Sequence, residues 1–226
     1  MCNHYDITLF GWAGIKIPAR RKKKLEGATF DSHLYPRRYA PIIIRDNGEN
    51  IIEDMRWGVF AKIQGAAKYI TNARNDRLLK SVTWKQSAKT RRCLIPGCAY
   101  YEPGTGPAGR RGEIRFWVRE RPQFFFAGLW DENPDDPDPA KPRAFAMVTT
   151  EPNATAAQFH DRMPVVLSDE EAAAWLGDHP LPDERLLEFC RGLPAEALLY
   201  EMLPAQQKAA ALPAEAAPQS TQGELF

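Results

Sequence analysis

The stretch Pro41-Ile42-Ile43-Ile44-Arg45-Asp46-Asn47-Gly48-Glu49-Asn50-Ile51-Ile52 decides the fold class. It is apolar up to Ile44, turns at Asp46-Asn47-Gly48, and resumes its apolar pattern at Ile51-Ile52. An Asn-Gly pair between two such runs predicts a β-hairpin, because both residues tolerate the positive φ of a tight hairpin turn. Outward from it, short apolar runs recur with turn residues between them. Residues 1–10 alternate weakly, as a strand does. Residues 93–95 and 99–102 read as buried strands, 114–118 and 124–129 as strands paired with each other, and 145–149 as a further strand. Residues 103–112 are rich in Gly and Pro and read as a loop, as do 133–142 with their four prolines. Residues 72–81 read as a loop entering a short helix. Ser168 and Glu171 have capping-box spacing ahead of a helix that Gly177 ends, and a second helix is expected over 184–190. The pattern predicts an α+β protein: a single mixed domain over residues 1–203 of many short, mostly antiparallel strands, barrel-like, with a few helices. Residues 204–226 shift to Ala, Pro, Gln and Ser and are expected to form a disordered tail.

The chain has 226 residues, 44% of them apolar, enough for one sizeable core. No apolar run approaches the roughly 20 residues that span a bilayer, and no signal-peptide pattern precedes residue 10. The 4 cysteines are too few for a disulfide scaffold at this length, so a reducing, cytoplasmic setting is expected. The net charge of +1 conceals an asymmetry. Residues 1–126 carry 24 Lys and Arg against 11 Asp and Glu, a net +13, and the remainder carries −12. A basic half can form a phosphate-binding surface, unless the two halves interleave and cancel.

Cys2 is the first chemical candidate. Once Met1 is removed, it presents an α-amine and a thiol on adjacent carbons. The ordinary pKa of such an amine, roughly 7.7–8.0, leaves a useful fraction neutral near pH 7. A neutral amine attacks an aldehyde to give an imine, and the thiol can then close a thiazolidine ring. A second-position cysteine is also, and more often, a small core residue. His160 lies in Phe159-His160-Asp161-Arg162-Met163-Pro164-Val165-Val166-Leu167, which suits either a strand-edge loop that offers a proton shuttle to a cleft or an ordinary surface turn. Glu102 ends an aromatic run. Desolvation there would raise its pKa toward acid–base use, although an ordinary strand-end carboxylate explains it too. Asn72 either caps the expected helix or orients a substrate, and Arg74 can hold a phosphate bidentately. Cys93 and Cys98 flank Pro96-Gly97 without further well-spaced ligands, which argues against zinc. No metal and no cofactor are expected.

Taken together, Met1-Cys2, Arg56-Trp57-Gly58, Asn72-Ala73-Arg74, the run from Arg91-Arg92-Cys93 to Tyr101-Glu102, Phe126-Ala127-Gly128-Leu129-Trp130, and Thr149-Thr150 followed by the His160 segment resemble the SRAP (SOS-response-associated peptidase) family of abasic-site shield proteins. The likeness covers roughly residues 1–176. It implies covalent capture of abasic sites in single-stranded DNA by a monomeric protein during replication or SOS repair. Cys2 would be the nucleophile. Asn72 would hold its amine or the sugar, Glu102 would move protons, and His160 would help open the sugar to its aldehyde. Arg74 and Arg162 would bind flanking phosphates, with Thr149 supporting the site. The chain departs from the family at Asn3-His4, where Gly-Arg is usual, leaving His4 to substitute for a DNA-contacting arginine. Arg38 stands where an asparagine is expected, and joins the expected DNA contacts. Pro103 replaces an aromatic, and the family's final strand is not evident over residues 198–203.

The last residues, Gln222-Gly223-Glu224-Leu225-Phe226, resemble the Gln-x-x-Leu-Phe peptide that docks into the bacterial sliding clamp. In a disordered tail Leu225 and Phe226 have nothing else to bury against, although chance explains the match equally well. Two other function classes stay open. An N-terminal-nucleophile amidohydrolase or amidotransferase also begins Met-Cys but usually continues Gly-Ile. A non-catalytic nucleic-acid-binding module would bind through the basic half, sensitively to salt and without an adduct.

Overall fold

Asn47 and Gly48 hold φ of 48° and 76°, the left-handed conformation a two-residue hairpin turn requires, and they join strands Tyr39–Asp46 and Glu49–Trp57. The computed structural model describes residues 2–7, 15, 32–105, 109, 111–132, 136–137, 142–177 and 180–204. In chain order its strands are β1 (His4–Asp6), β2 (His33–Leu34), β3 (Tyr39–Asp46), β4 (Glu49–Trp57), β5 (Val59–Ile63), β6 (Ala66–Ile70), β7 (Asn72–Arg74), β8 (Arg92–Gly97), β9 (Ala99–Thr105), β10 (Arg111–Val118), β11 (Phe124–Glu132), β12 (Arg143–Thr150), β13 (Met163–Pro164), β14 (Val166–Leu167) and β15 (Leu198–Pro204). Short helices α1 (Lys85–Thr90), α2 (Asp169–Trp175) and α3 (Asp183–Phe189) lie among them.

Five strands close on themselves. β12 pairs in parallel with β4; β4 then pairs with β3, β3 with β8, β8 with β11 and β11 with β12, all antiparallel. β7 adds to β12 in parallel. A second, antiparallel sheet runs β15-β10-β9-β1-β2, and β5-β6 form a separate hairpin. The α+β expectation holds, with the ring as its barrel.

Alternation along the ring strands builds two cores. Ile42, Ile44, Cys93, Ile95, Phe126 and Met147 pack with Tyr5, Tyr100, Ile114 and Phe116 of the second sheet. Ile43, Leu94, Ala127, Leu129 and Val148 pack with Trp84, Ala172, Trp175, Leu186 and Phe189 from the helical segments. Each Val, Leu, Ile, Phe or Met side chain among them stabilises the fold by about 1.5–3 kcal/mol relative to exposure. Gly128 permits close packing: a Cβ there would lie 2.6 Å from Cys93 Sγ.

The capping box forms as expected. Ser168 Oγ accepts from Glu171 N–H at 3.1 Å, and Ser168 N–H donates to Glu171 Oε2 at 2.8 Å. Four expectations need correction. Residues 114–118 and 124–129 are strands, but β10 pairs with β9 and β15 while β11 lies in the ring. Residues 103–105 and 111–112 extend β9 and β10 into a hairpin beyond the expected loop. Residues 198–203 do form a strand, held to β10 over its full length. Asn72 opens no helix: it begins β7, and the 3-10 turn that follows, Asn75–Arg77, has no side-chain cap. The basic run at 20–24, most of 133–141 and the tail beyond 204 lie outside the described residues. No helix among the described residues is long and apolar enough to cross a membrane.

Candidate active site

The register of three strands assembles the site. β1 lies against β9 with His4 opposite Tyr101, so Cys2, just before β1, reaches the neighbourhood of Glu102. β7 lies against β12 with Asn72 opposite Met147. Its entry is fixed by Thr71, whose carbonyl accepts from Trp57 Nε1 and from Met147 N–H.

Cys2 is 1% exposed. Its carbonyl accepts from Asn72 Nδ2 at 2.9 Å, and its thiol points to the His4 carbonyl at 3.4 Å. Asn72 Nδ2 also donates to Thr71 Oγ1 at 3.0 Å, while its Oδ1, buried, makes no hydrogen bond among the described residues. Burial, with the Glu102 carboxylate second, raises the thiol well above its ordinary range. Glu102 is also 1% exposed. Burial pushes it up to about 7, against the pull of the chain's amino terminus.

His160 Nε2 lies 3.9 Å from Glu102 Oε2. Two neighbours compete for its Nδ1. The Arg162 N–H donates to it at 3.1 Å and favours a bare Nδ1, whereas Asp161 Oδ1 at 2.9 Å favours a protonated ring. Asp161 is largely exposed and screened by water, so the backbone bond decides. The proton then sits on Nε2, toward Glu102. Burial and the amino terminus both lower the pKa of His160, which keeps the ring neutral.

The loop carrying His160 is clamped by Arg162. Its buried guanidinium donates to Thr149 O and Asn75 Oδ1, both at 2.6 Å, and to Glu151 Oε1 at 2.9 Å. Asn75 in turn donates to Glu151 Oε2 at 2.8 Å. This bond leads the causes that hold the Glu151 carboxyl down to about 2. Asn75 and Glu151 hold Arg162, and the sequence reading missed both. Neither belongs to a motif, and only the fold brings them to Arg162.

Cys2, Asn72, Glu102 and His160 thus meet in one connected cluster. Thr149 is fully buried beside it, its Oγ1 without a hydrogen bond among the described residues. The other expected DNA contacts diverge. Arg74 is on the surface, where Asp76 accepts from it at 3.0 and 3.1 Å, and Arg38 is exposed at the entry to β3. His4 is buried, its ring stacked between Tyr35 at 4.3 Å and Tyr101 at 3.9 Å. Gln222, Leu225 and Phe226 lie outside the described residues.

A β-rich α+β domain whose second residue is a sequestered cysteine, tied to an asparagine, a glutamate and a histidine from three other segments, defines the class. The chain belongs to the SOS response associated peptidase (SRAP) family, whose model matches residues 1–208. It is 31% identical over 138 residues to the abasic site processing protein YoqW of Bacillus subtilis (strain 168), covering 59% of this chain and 61% of that one. It is 22% identical over 182 residues to the abasic site processing protein HMCES of Gallus gallus, covering 69% of this chain and 53% of that one. The chain therefore aligns with less than two thirds of the length of these relatives. A solved structure of a Bacteroides thetaiotaomicron protein superposes with a TM-score of 0.70 at 18% identity, covering 89% of this chain and 92% of that one. One from Bordetella bronchiseptica gives 0.70 at 22% identity, covering 89% and 99%. These two likenesses establish the fold alone.

Proposed function

We propose that this chain handles abasic DNA by capturing the abasic sugar of a single strand as a thiazolidine on Cys2, once Met1 has been removed. One observation carries the reading: Cys2, which becomes an aminothiol on loss of Met1, is buried in one cluster with the Glu102 carboxyl and the His160 imidazole. The family and the names of the relatives support the same substrate.

The geometry supports the following chemistry. His160 Nε2–H and Glu102 open the sugar hemiacetal to its aldehyde by moving one proton between ring oxygen and anomeric hydroxyl. The Cys2 amine attacks the aldehyde carbon. Burial keeps the thiol protonated, so the amine is the first nucleophile. Glu102 in its acid form protonates the carbinolamine hydroxyl, which leaves as water, and the imine forms. The sulfur then adds to the imine carbon, and the thiol proton ends on the ring nitrogen. The balance is aldehyde plus aminothiol giving thiazolidine plus one water. Asn72 Oδ1, without a hydrogen bond among the described residues, would accept from the amine. The tail beyond residue 204 is proposed to dock on a sliding clamp. Calorimetry with a tail peptide tests this, and Leu225→Ala with Phe226→Ala should abolish the signal.

The deciding measurement is intact mass spectrometry after incubation with abasic oligonucleotides. The expected product is the chain lacking Met1 plus the oligonucleotide minus one water, formed faster on single strands than on duplex. Cys2→Ala should give no adduct, and Cys2→Ser at most a labile imine. Wild-type chain that has lost Met1 and yet forms no adduct would overturn the reading.

A further inference from the structure

On the outer edge of the second sheet, three side chains unused by the proposed chemistry converge. His4 and Asp6 share one face of β1, two residues apart, and His33 stands directly opposite Asp6 on β2. We infer that His4 Nε2, His33 Nδ1 and Asp6 Oδ1 form a binding site for a divalent transition-metal ion, with zinc the ion it fits best.

The three ligand atoms already span the right triangle. They are separated by 2.9 Å (His4–His33), 2.7 Å (His33–Asp6) and 3.9 Å (His4–Asp6). Ligands at about 2.0–2.1 Å from a tetrahedral zinc stand roughly 3.3 Å apart. A small rotation of His33, which is 49% exposed, would lengthen its two short distances, and a small shift of the Asp6 carboxylate toward His4 would shorten the third.

The outer partners are those a metal site requires. Glu113 Oε1 lies 3.3 Å from His4 Nδ1 and takes that N–H, which leaves the Nε2 lone pair facing the other two ligands. Tyr101 O–H donates to Asp6 Oδ2, the oxygen remote from the site, and leaves Oδ1 available. Stacking between Tyr35 and Tyr101 fixes the plane of the His4 ring. At present a single N–H on His33 faces two acceptors, Asp6 Oδ1 and His4 Nε2. With the His33 proton shifted to its Nε2, a metal ion would take the Nδ1 lone pair and satisfy all three atoms together.

Two imidazoles and a carboxylate with an open fourth position favour zinc and its neighbours over calcium or magnesium. A bound ion would staple β1 to β2 two residues downstream of Cys2. The three residues come from two segments 27 positions apart, so no local spacing announces them.

Calorimetry of the metal-free full-length chain with zinc chloride, without DNA, tests the site. One ion per chain should bind. His33→Gln and Asp6→Asn should each weaken binding at least 100-fold, and Glu113→Gln by about 10- to 100-fold. His33 sits half-exposed on a two-residue strand, so His33→Gln should keep the circular dichroism of the wild type. Cobalt(II) in place of zinc should give a visible spectrum with no thiolate charge-transfer band. No stoichiometric binding, unchanged binding in His33→Gln, or a thiolate band would each overturn the inference. Because the readout needs no abasic DNA, failure of the capture chemistry would leave this result standing.

Discussion

Glu102 illustrates how one buried residue links stability to chemistry. Its folded pKa, pushed up to about 7, lies above the ordinary carboxylate value of 4.5. The native chain keeps its proton where the unfolded chain has lost it, so this group's contribution to stability is complete below about pH 4.5. That contribution is lost as pH rises to about 7, and is flat beyond. Glu102→Gln removes the loss. Urea unfolding should show the variant more stable than wild type at pH 8, by at most about 3 kcal/mol, with the gap closing toward pH 4.5. Adduct formation should slow as wild type passes pH 7, and Glu102→Gln should lose that inflection along with most of its rate. Arg162 separates two roles for a cation. Its guanidinium is buried among Thr149, Asn75 and Glu151, so Arg162→Lys should slow capture at least tenfold through a displaced His160. Its affinity for intact single strands should be unchanged; an equal loss of affinity would mean that Arg162 touches phosphate after all. Glu102 could be read from the chain because an aromatic strand flanks it. Asn75 and Glu151 could not, because their meaning lies in a contact made across 76 positions of sequence.

Among elements, two local signals were read correctly. The Asn47-Gly48 turn and the Ser168–Glu171 box each use residues fewer than five positions apart, and both form. Ser168→Ala should cost about 1 kcal/mol, seen as a melting temperature lower by about 2–4 °C. Gly128→Ala should cost more, about 1–3 kcal/mol, since its methyl group would overlap Cys93 Sγ and the Ile95 side chain. Pairing was not legible, because nothing within 114–118 or 124–129 names a partner, and the two strands went to different sheets. Asn72 fell to a non-local effect: β12 offers it a ladder, and the ladder overrides the capping preference. The strand at 198–204 lacks alternation and owes its form to seven positions of pairing with β10.

At the scale of the molecule, the charge asymmetry along the chain is interleaved among the described residues. Strands of the acidic part are laid between strands of the basic part, as β12 is against β4 and β7. Ion pairs cross the same divide: Arg91 with Asp131, Arg115 with Glu201, Arg121 with Asp169, and Lys89 with Asp183. Binding to single strands should therefore be less sensitive to salt than a face of thirteen charges would be. A slope of log K against log salt of about −3 or shallower is expected, equivalent to roughly four phosphates at −0.7 each, measured by fluorescence anisotropy.

The closed ring also sets a clock. Its last member, β12, ends at Thr150, so a growing chain cannot seal the barrel until some 150 residues have been made. Cys2 is synthesised first and, once folding is complete, is shut away from solvent. On the proposed chemistry, removal of Met1 is expected to be easier on the nascent or half-folded chain, before Cys2 is buried. If the proposed capture is right, maturation would then be a race against folding, and a chain that folded before it was trimmed would keep its Cys2 nitrogen locked in an amide.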